Sequence, residues 1–235
     1  MKPLKMALVV ALLLVTLVTA ACGGSGPAPV STPGSVALPL VVANPGNSTP
    51  PSIESMKTIL QAAFQGLKSQ KSYRYRSTML IGGQTYQTMI EYMLPDKKHI
   101  VTDNGEFIVT GDKVFVKEGN NWNESTALTA DTFKDDLASL IDSAENLTWL
   151  GQETLNGKDM QVIQFEVKNS DASIDLPQQF KLWVGAGDGL PYKLVIVGSA
   201  SSVDQTTGQT GQVKAVSTLL FEYDQTIQIF IPVIK

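Results

Sequence analysis

The chain has 235 residues, with 18 basic and 22 acidic side chains, one histidine, one cysteine and a formal net charge of −4. One cysteine excludes an intrachain disulfide, and one histidine excludes His-rich zinc sites and the HExxH metalloprotease helix. The acidic balance argues against nucleic acid as a partner, because such binding rests on neutralising phosphates.

Lys2 and Lys5 precede an apolar stretch, Met6 to Val18, and then the small residues Thr19, Ala20 and Ala21. That order predicts a secretory signal peptide over residues 1–21. The stretch falls short of the roughly 20 apolar residues that span a bilayer core, so a permanent membrane helix is the weaker reading. Removing the leader takes away two lysines and no acid, leaving 16 basic against 22 acidic residues and a formal charge of −6. "VTAAC" resembles a bacterial lipobox, which predicts a diacylglyceryl thioether on Cys22 and a lipid anchor in the membrane. Thr19 stands where a lipobox usually carries a large aliphatic residue, so cleavage in the same stretch with a free thiol is the alternative. From Gly23 to Pro51 the chain holds seven prolines among glycine, serine and threonine. Such a composition cannot bury enough apolar surface to offset the entropy of ordering, and residues 22–51 are expected to be a disordered tether.

Residues 52–235 suit one domain. Ser52 is placed to cap a helix running to about Gln70, on which Ile53, Met56, Leu60, Ala63, Phe64 and Leu67 recur at spacings of three and four. Ser72 to Leu94 reads as a hairpin about Gly82-Gly83, the central pair of a primed turn. The register that follows sets Ile81 opposite Gln84, Met79 opposite Tyr86, Tyr75 opposite Ile90, Arg74 opposite Glu91 and Tyr73 opposite Tyr92. One face then carries Tyr73, Tyr75, Met79, Tyr86, Ile90 and Tyr92, the other Arg74, Arg76, Gln87 and Glu91; a one-residue slip would destroy that sorting.

Further strands are predicted at Lys98–Thr102, Glu106–Thr110 and Lys113–Lys117. A second helix is predicted over Ala130–Ala144, its stripe formed by Phe133, Leu137, Leu140, Ile141 and Ala144. Leu147–Leu155 and Lys158–Lys168 flank Asn156-Gly157, a strong hairpin signal. Gln179–Gly185, Tyr192–Gly198, Val213–Tyr223 and Thr226–Ile231 complete about eleven strands. Local hairpins with two helices imply an α+β domain, a large antiparallel sheet that curls into an incomplete barrel with the helices on its concave face.

No motif for catalysis survives inspection. His99 lacks a GxSxG partner and is expected exposed on its strand. "GAGDG" (Gly185 to Gly189) misses the phosphate-loop spacing and reads as a turn. "NSDASID" (Asn169 to Asp175) places Ile174 where a calcium loop needs glycine. Asp135 and Asp136, adjacent on a helix, diverge. No cofactor or metal is expected, and no enzyme.

The tyrosine and methionine face beneath Phe64, Phe133 and Leu137 is the candidate site, large and adaptable enough for an irregular apolar ligand. The alternative is that the same side chains simply pack against Phe64, Leu67, Phe133 and Leu137.

Helix-first order followed by "YMLPDKKHIV", "EFIVTGDKVFVKEGNNW", "FKLWVGAGDGLPYKLVI" and "FEYDQTIQIFIP" resembles the LolA/LolB-like superfamily of envelope lipoproteins, LppX/LprG-type members especially. The likeness spans about Ser52 to Lys235 and rests on weak motifs in order, none of them catalytic. It implies an incomplete β-barrel, covered by helices, around an apolar cavity for acyl chains or lipidated cargo. The expected protein is an exported, lipid-anchored binder or carrier of a lipid at the outer face of the bacterial cell membrane. The other reading is a ligand-free interaction or sensor module contacting an envelope protein.

Overall fold

The computed structural model describes residues 50–133, 137–167, 178–203 and 210–234. The leader, Cys22, the tether as far as residue 49, the Asn169–Asp175 stretch and Asp135 and Asp136 lie outside the described residues.

Helix α1, Ile53–Ser69, starts where the sequence places its cap: the Ser52 side chain accepts from the Ser55 backbone N–H at 3.2 Å. Met56, Leu60, Ala63, Phe64 and Leu67 form its buried stripe. The chain then enters β1, Ser72–Ile81, and turns through Gly82 and Gly83, both at positive φ (56° and 84°), into β2, Gln84–Met93. Positive φ at both central residues is the primed-turn geometry that glycine adopts without steric cost. The pairing of β1 with β2 has the register read from the sequence, Tyr73 opposite Tyr92, Tyr75 opposite Ile90 and Met79 opposite Tyr86.

Short strands follow: β3 at Lys97–Thr102, β4 at Gly105–Thr110, β5 at Lys113–Glu118 and β6 at Asn121–Glu124. In place of one long second helix there is a 3-10 turn, Ala130–Phe133, and a short helix α2, Leu137–Asp142; Ala144 already belongs to β7. Strands β7 (Ala144–Leu155), β8 (Lys158–Val167), β9 (Gln178–Gly185), β10 (Pro191–Val203) and β11 (Thr210–Glu222) complete the set. Asn156 and Gly157 turn β7 into β8 at φ 52° and 77°, again a primed pair.

All eleven strands form one antiparallel sheet in the order β6-β5-β4-β3-β2-β1-β11-β10-β9-β8-β7, curled but not closed into a barrel. Two meanders meet at β1 and β11, where Tyr75 faces Phe221 across some 145 residues of chain. The count of eleven agrees with the sequence reading through two offsetting differences. Asn121–Glu124 is an additional strand, and Thr226–Ile231 is not in the sheet. That last segment instead crosses the outer face, where Ile227 and Ile229 pack on Ile108 and Phe115 beside Met93 and Trp122. Alternation that reads as a strand also suits an extended strap with one side buried. Ile227→Ala should therefore cost about 2 kcal/mol by removing branched apolar volume from this satellite cluster, to be checked by urea denaturation.

The main core lies on the other, helix-bearing face. Leu60, Phe64 and Leu67 of α1 join Tyr73, Tyr75, Ile90, Tyr92, Ile100, Val109, Ile163, Phe165, Phe180, Leu182, Leu194 and Phe221 in one buried cluster. Helix α1 packs over β7, β9, β10 and α2, and the 3-10 turn packs over β4.

Candidate functional site

Residues alternating along β1 and β2 send their side chains to opposite faces, so the hairpin register decides which groups lie beneath the cover. Two adjacent rows matter on the inner face. One runs Tyr73, Tyr92, Lys98, Val109 and Val114 across β1 to β5, and the next runs Tyr75, Ile90, Ile100, Phe107 and Val116.

The structure brings together most of the residues singled out from sequence. Phe64, Tyr73, Tyr75, Ile90 and Tyr92 are buried in one cluster, with Phe133 and Leu137 half-buried against it. Tyr73 stacks on Tyr92 with centroids 4.5 Å apart and rings 11° from parallel, while Tyr75 is tilted toward Tyr92 at 5.9 Å and toward Phe221 at 5.8 Å. These are the offset and tilted geometries that aromatic quadrupoles favour. Phe133 lies on Phe107 at 5.3 Å, which holds the 3-10 turn over β4. Met79 is buried nearer the hairpin tip, outside this cluster, and Tyr86 is half-buried there with its hydroxyl donating to Gln84 Oε1 at 2.5 Å. Those two stand apart from the aromatic row.

Sequence reasoning missed Lys98. It faces Tyr92 directly across the β2–β3 pair, its Nζ 5.2 Å from the Tyr92 ring centroid and donating to the Phe133 carbonyl at 2.9 Å. Burial pulls its ammonium down to about 8, because the apolar surroundings disfavour the charged form. A tight return at Leu94 to Asp96 sets Lys98, and not Lys97, opposite the inward Tyr92. The Tyr92 hydroxyl is the second notable group. Its oxygen is buried and has no hydrogen-bond partner, an arrangement that costs free energy in a folded protein.

The outer face of the same strands is polar and networked. Arg74 donates to Glu91 and to Glu222, which also accepts from Arg76 at 3.0 Å. His99, expected exposed, is instead half-buried between two carboxylates, with Nδ1 2.9 Å from Glu91 Oε2 and Nε2 3.0 Å from Glu106 Oε1. Cross-strand neighbours at this spacing explain the correction, since Glu91 pairs with His99 in register and the ring fills the space between acids. Lys117 completes the chain by donating to Glu106.

Burial works to raise the Glu91 carboxyl, but hydrogen bonds from His99 and Arg74 outweigh it and hold the group below its usual range. A carboxylate depressed in the folded state contributes stability above its unfolded pKa and loses it as pH falls through the folded one. Glu91→Gln should cost about 2 kcal/mol at pH 7, and the difference from the parent should shrink as pH falls below the ordinary carboxylate range and vanish only beneath the depressed folded pKa. Urea midpoints across that range would check it.

No protein-family model matches the chain, and no curated protein matches it significantly. Among solved structures, the chain is similar to the lipoprotein LppX of Mycobacterium tuberculosis at 13% identity and a TM-score of 0.52, over 76% of this chain and 100% of that one. It is similar to LprF of Mycobacterium bovis at 13% identity and a TM-score of 0.49, over 77% and 97%. A putative outer membrane lipoprotein-sorting protein domain of Vibrio parahaemolyticus follows at 9% identity and a TM-score of 0.31, over 73% and 93%. At such identity the likeness to LppX speaks for architecture and not for cargo. An open, curled eleven-stranded sheet with its helix on one face, aligned over the full length of LppX, gives this chain an LppX-like fold.

Proposed function

We propose that the chain is a non-enzymatic envelope lipoprotein that binds an acyl-chain ligand against the aromatic row of its helix-bearing face. The observation that carries this reading is where the row lies. Tyr73, Tyr75 and Tyr92 sit on β1 and β2, between α1, which packs over β7, β9 and β10, and the 3-10 turn, which packs over β4. A seam between two covers, floored by flat and partly polar rings, suits an extended alkyl chain that inserts along it. Cys22, in its lipobox-like setting, would hold the domain at the membrane by its thioether-linked lipid, with residues 23–51 as the tether.

Native mass spectrometry of protein purified from host membranes tests the reading. A co-purifying lipid, with saturable uptake of a fluorescent fatty acid, is the expected result; absence of both would overturn it. The anchor is tested apart from the ligand by labelled palmitate incorporation, which Cys22→Ser should abolish.

A further inference from the structure

Seven large apolar side chains are exposed among the described residues, and four of them, Phe230, Ile231, Val233 and Ile234, fall within five consecutive positions. Phe230 is 74% and Val233 88% exposed, so these groups project from the surface instead of lining a hollow in it. The segment that carries them is held firmly up to that point. Asp224 fixes its start, its carbonyl accepting from the Ser72 hydroxyl at 2.7 Å and its carboxylate from the Thr226 backbone N–H at 2.8 Å. Ile227 and Ile229 are then buried on Ile108 and Phe115 of β4 and β5. Trp122, half-buried, packs on the same cluster with the Lys117 ammonium 5.7 Å from its ring centroid. Apolar side chains gathered this densely at a surface mark a place that something covers. A projecting run fits no flat protein surface without a shaped pocket to receive it, whereas a bilayer yields around apolar side chains of any outline. Tryptophan with a lysine over its ring, at the base of the run, is the pairing that suits headgroup depth.

We propose that Phe230, Ile231, Val233 and Ile234 form a wedge that inserts into the facing leaflet of a lipid bilayer, with Trp122 at the headgroup level. Nearness to a bilayer rests on the anchor reading above: the tether from Cys22 to α1 has roughly 30 residues, which as a coil span on the order of 30 Å. The wedge is independent of what the helix-bearing face binds. It turns a domain swinging on its tether into one of fixed orientation, with the outer face of β4 and β5 toward the membrane. Insertion of this kind is driven by apolar burial and needs no anionic lipid, in keeping with a chain whose net charge is −4.

Cys22 is the only cysteine, so in the full chain with Cys22→Ser a single introduced thiol takes an environment-sensitive nitrobenzoxadiazole label. Labels at Val233→Cys and, as the reference, at Thr78→Cys on the exposed outer face of β1 are compared in phosphatidylcholine vesicles whose acyl chains carry doxyl quenchers. The comparison is between positions, so it does not depend on how the rest of the chain holds the vesicle. The label at 233 should shift to shorter wavelength and be quenched at least about two-fold more than the label at 78. Phe230→Asp with Ile231→Asp should abolish that difference, because charge at acyl depth is strongly disfavoured, and should leave the melting temperature unchanged, since both side chains are exposed. Equal quenching at both positions would overturn the wedge, as would an excess at 233 that survives the double substitution. A label at 233 that shifts without vesicles, and more so at higher protein concentration, would overturn it in favour of a second copy of this chain as the cover. Palmitate incorporation at Cys22, measured separately, decides the anchor whatever the wedge does.

Discussion

Tyr75→Asp should unfold the domain or lower its stability by more than about 4 kcal/mol, while Arg76→Asp, one residue along the same strand, should cost less than about 1 kcal/mol. Tyr75 is 5% exposed, on the helix-bearing face among Tyr92 and Phe221. Aspartate there would remove an aromatic ring from a packed cluster and install a carboxylate without water around it, and each change alone is worth several kcal/mol. Domains of this size hold only about 5–15 kcal/mol in total, so the loss is a large fraction of what there is. Arg76 points the other way, half-exposed, and its bond to Glu222 is a surface ion pair of the kind worth at most about 1 kcal/mol. Urea denaturation followed by circular dichroism would measure both variants. Similar losses would mean that the face assignment of β1 is wrong, and with it the location of the candidate site. Since Tyr75→Asp acts on folding first, ligand binding is better probed by changes that keep the ring in place.

That assignment was legible before any coordinates because it is a local matter. Gly82-Gly83 can adopt positive φ at both positions, the turn fixes the register, and the register sorts tyrosines from arginines. The stripe of α1 and its Ser52 cap were legible for the same reason, as was the Asn156-Gly157 hairpin. What escaped the sequence is non-local. Nothing near Ser72 or Glu222 announces that β1 and β11 pair, because no turn joins them and their apolar faces would fit other strands equally well. Thr226–Ile231 alternates as a strand does, yet its backbone follows the outer surface and only its isoleucines are buried, on Ile108 and Phe115. Periodicity reports a one-sided environment and not the hydrogen-bond partner that would make it a strand.

The candidate site divides in the same way. Its apolar members, Phe64, Tyr73, Tyr75, Ile90 and Tyr92, follow from alternation and helical spacing. Its polar members depend on which residue meets which across β2 and β3, where Leu94, Pro95 and Asp96 make a return without the glycine signature that set the first hairpin. Moving that return by one residue would place Lys97 under the cover and Lys98 outside. It would also turn His99 away from Glu91. One short turn thus decides both the inward, half-buried lysine and the outer His99 network.

Lys98→Met should stabilise the ligand-free protein by about 2 kcal/mol at pH 7, and the gain should shrink toward nothing by about pH 10.5. The ammonium faces the Tyr92 ring across the strand pair, with Val109 beyond it and the Phe133 carbonyl above as hydrogen-bond acceptor. Burial lowers its pKa from 10.5 to about 8, which corresponds to about 3 kcal/mol of penalty on the charged form. Loss of the bond to Phe133 returns about 1 kcal/mol of that. The sign with pH follows from proton counting: between about pH 8 and 10.5 the unfolded chain holds a proton that the folded chain has released, so the parent gains stability as pH rises through that window. Methionine does not titrate, so the difference between the two proteins isolates Lys98 from the other lysines and tyrosines that titrate in the same range. Guanidinium midpoints at pH 7, 8.5 and 10 would trace it, and a Lys98→Met protein less stable than the parent at pH 7 would refute the assignment.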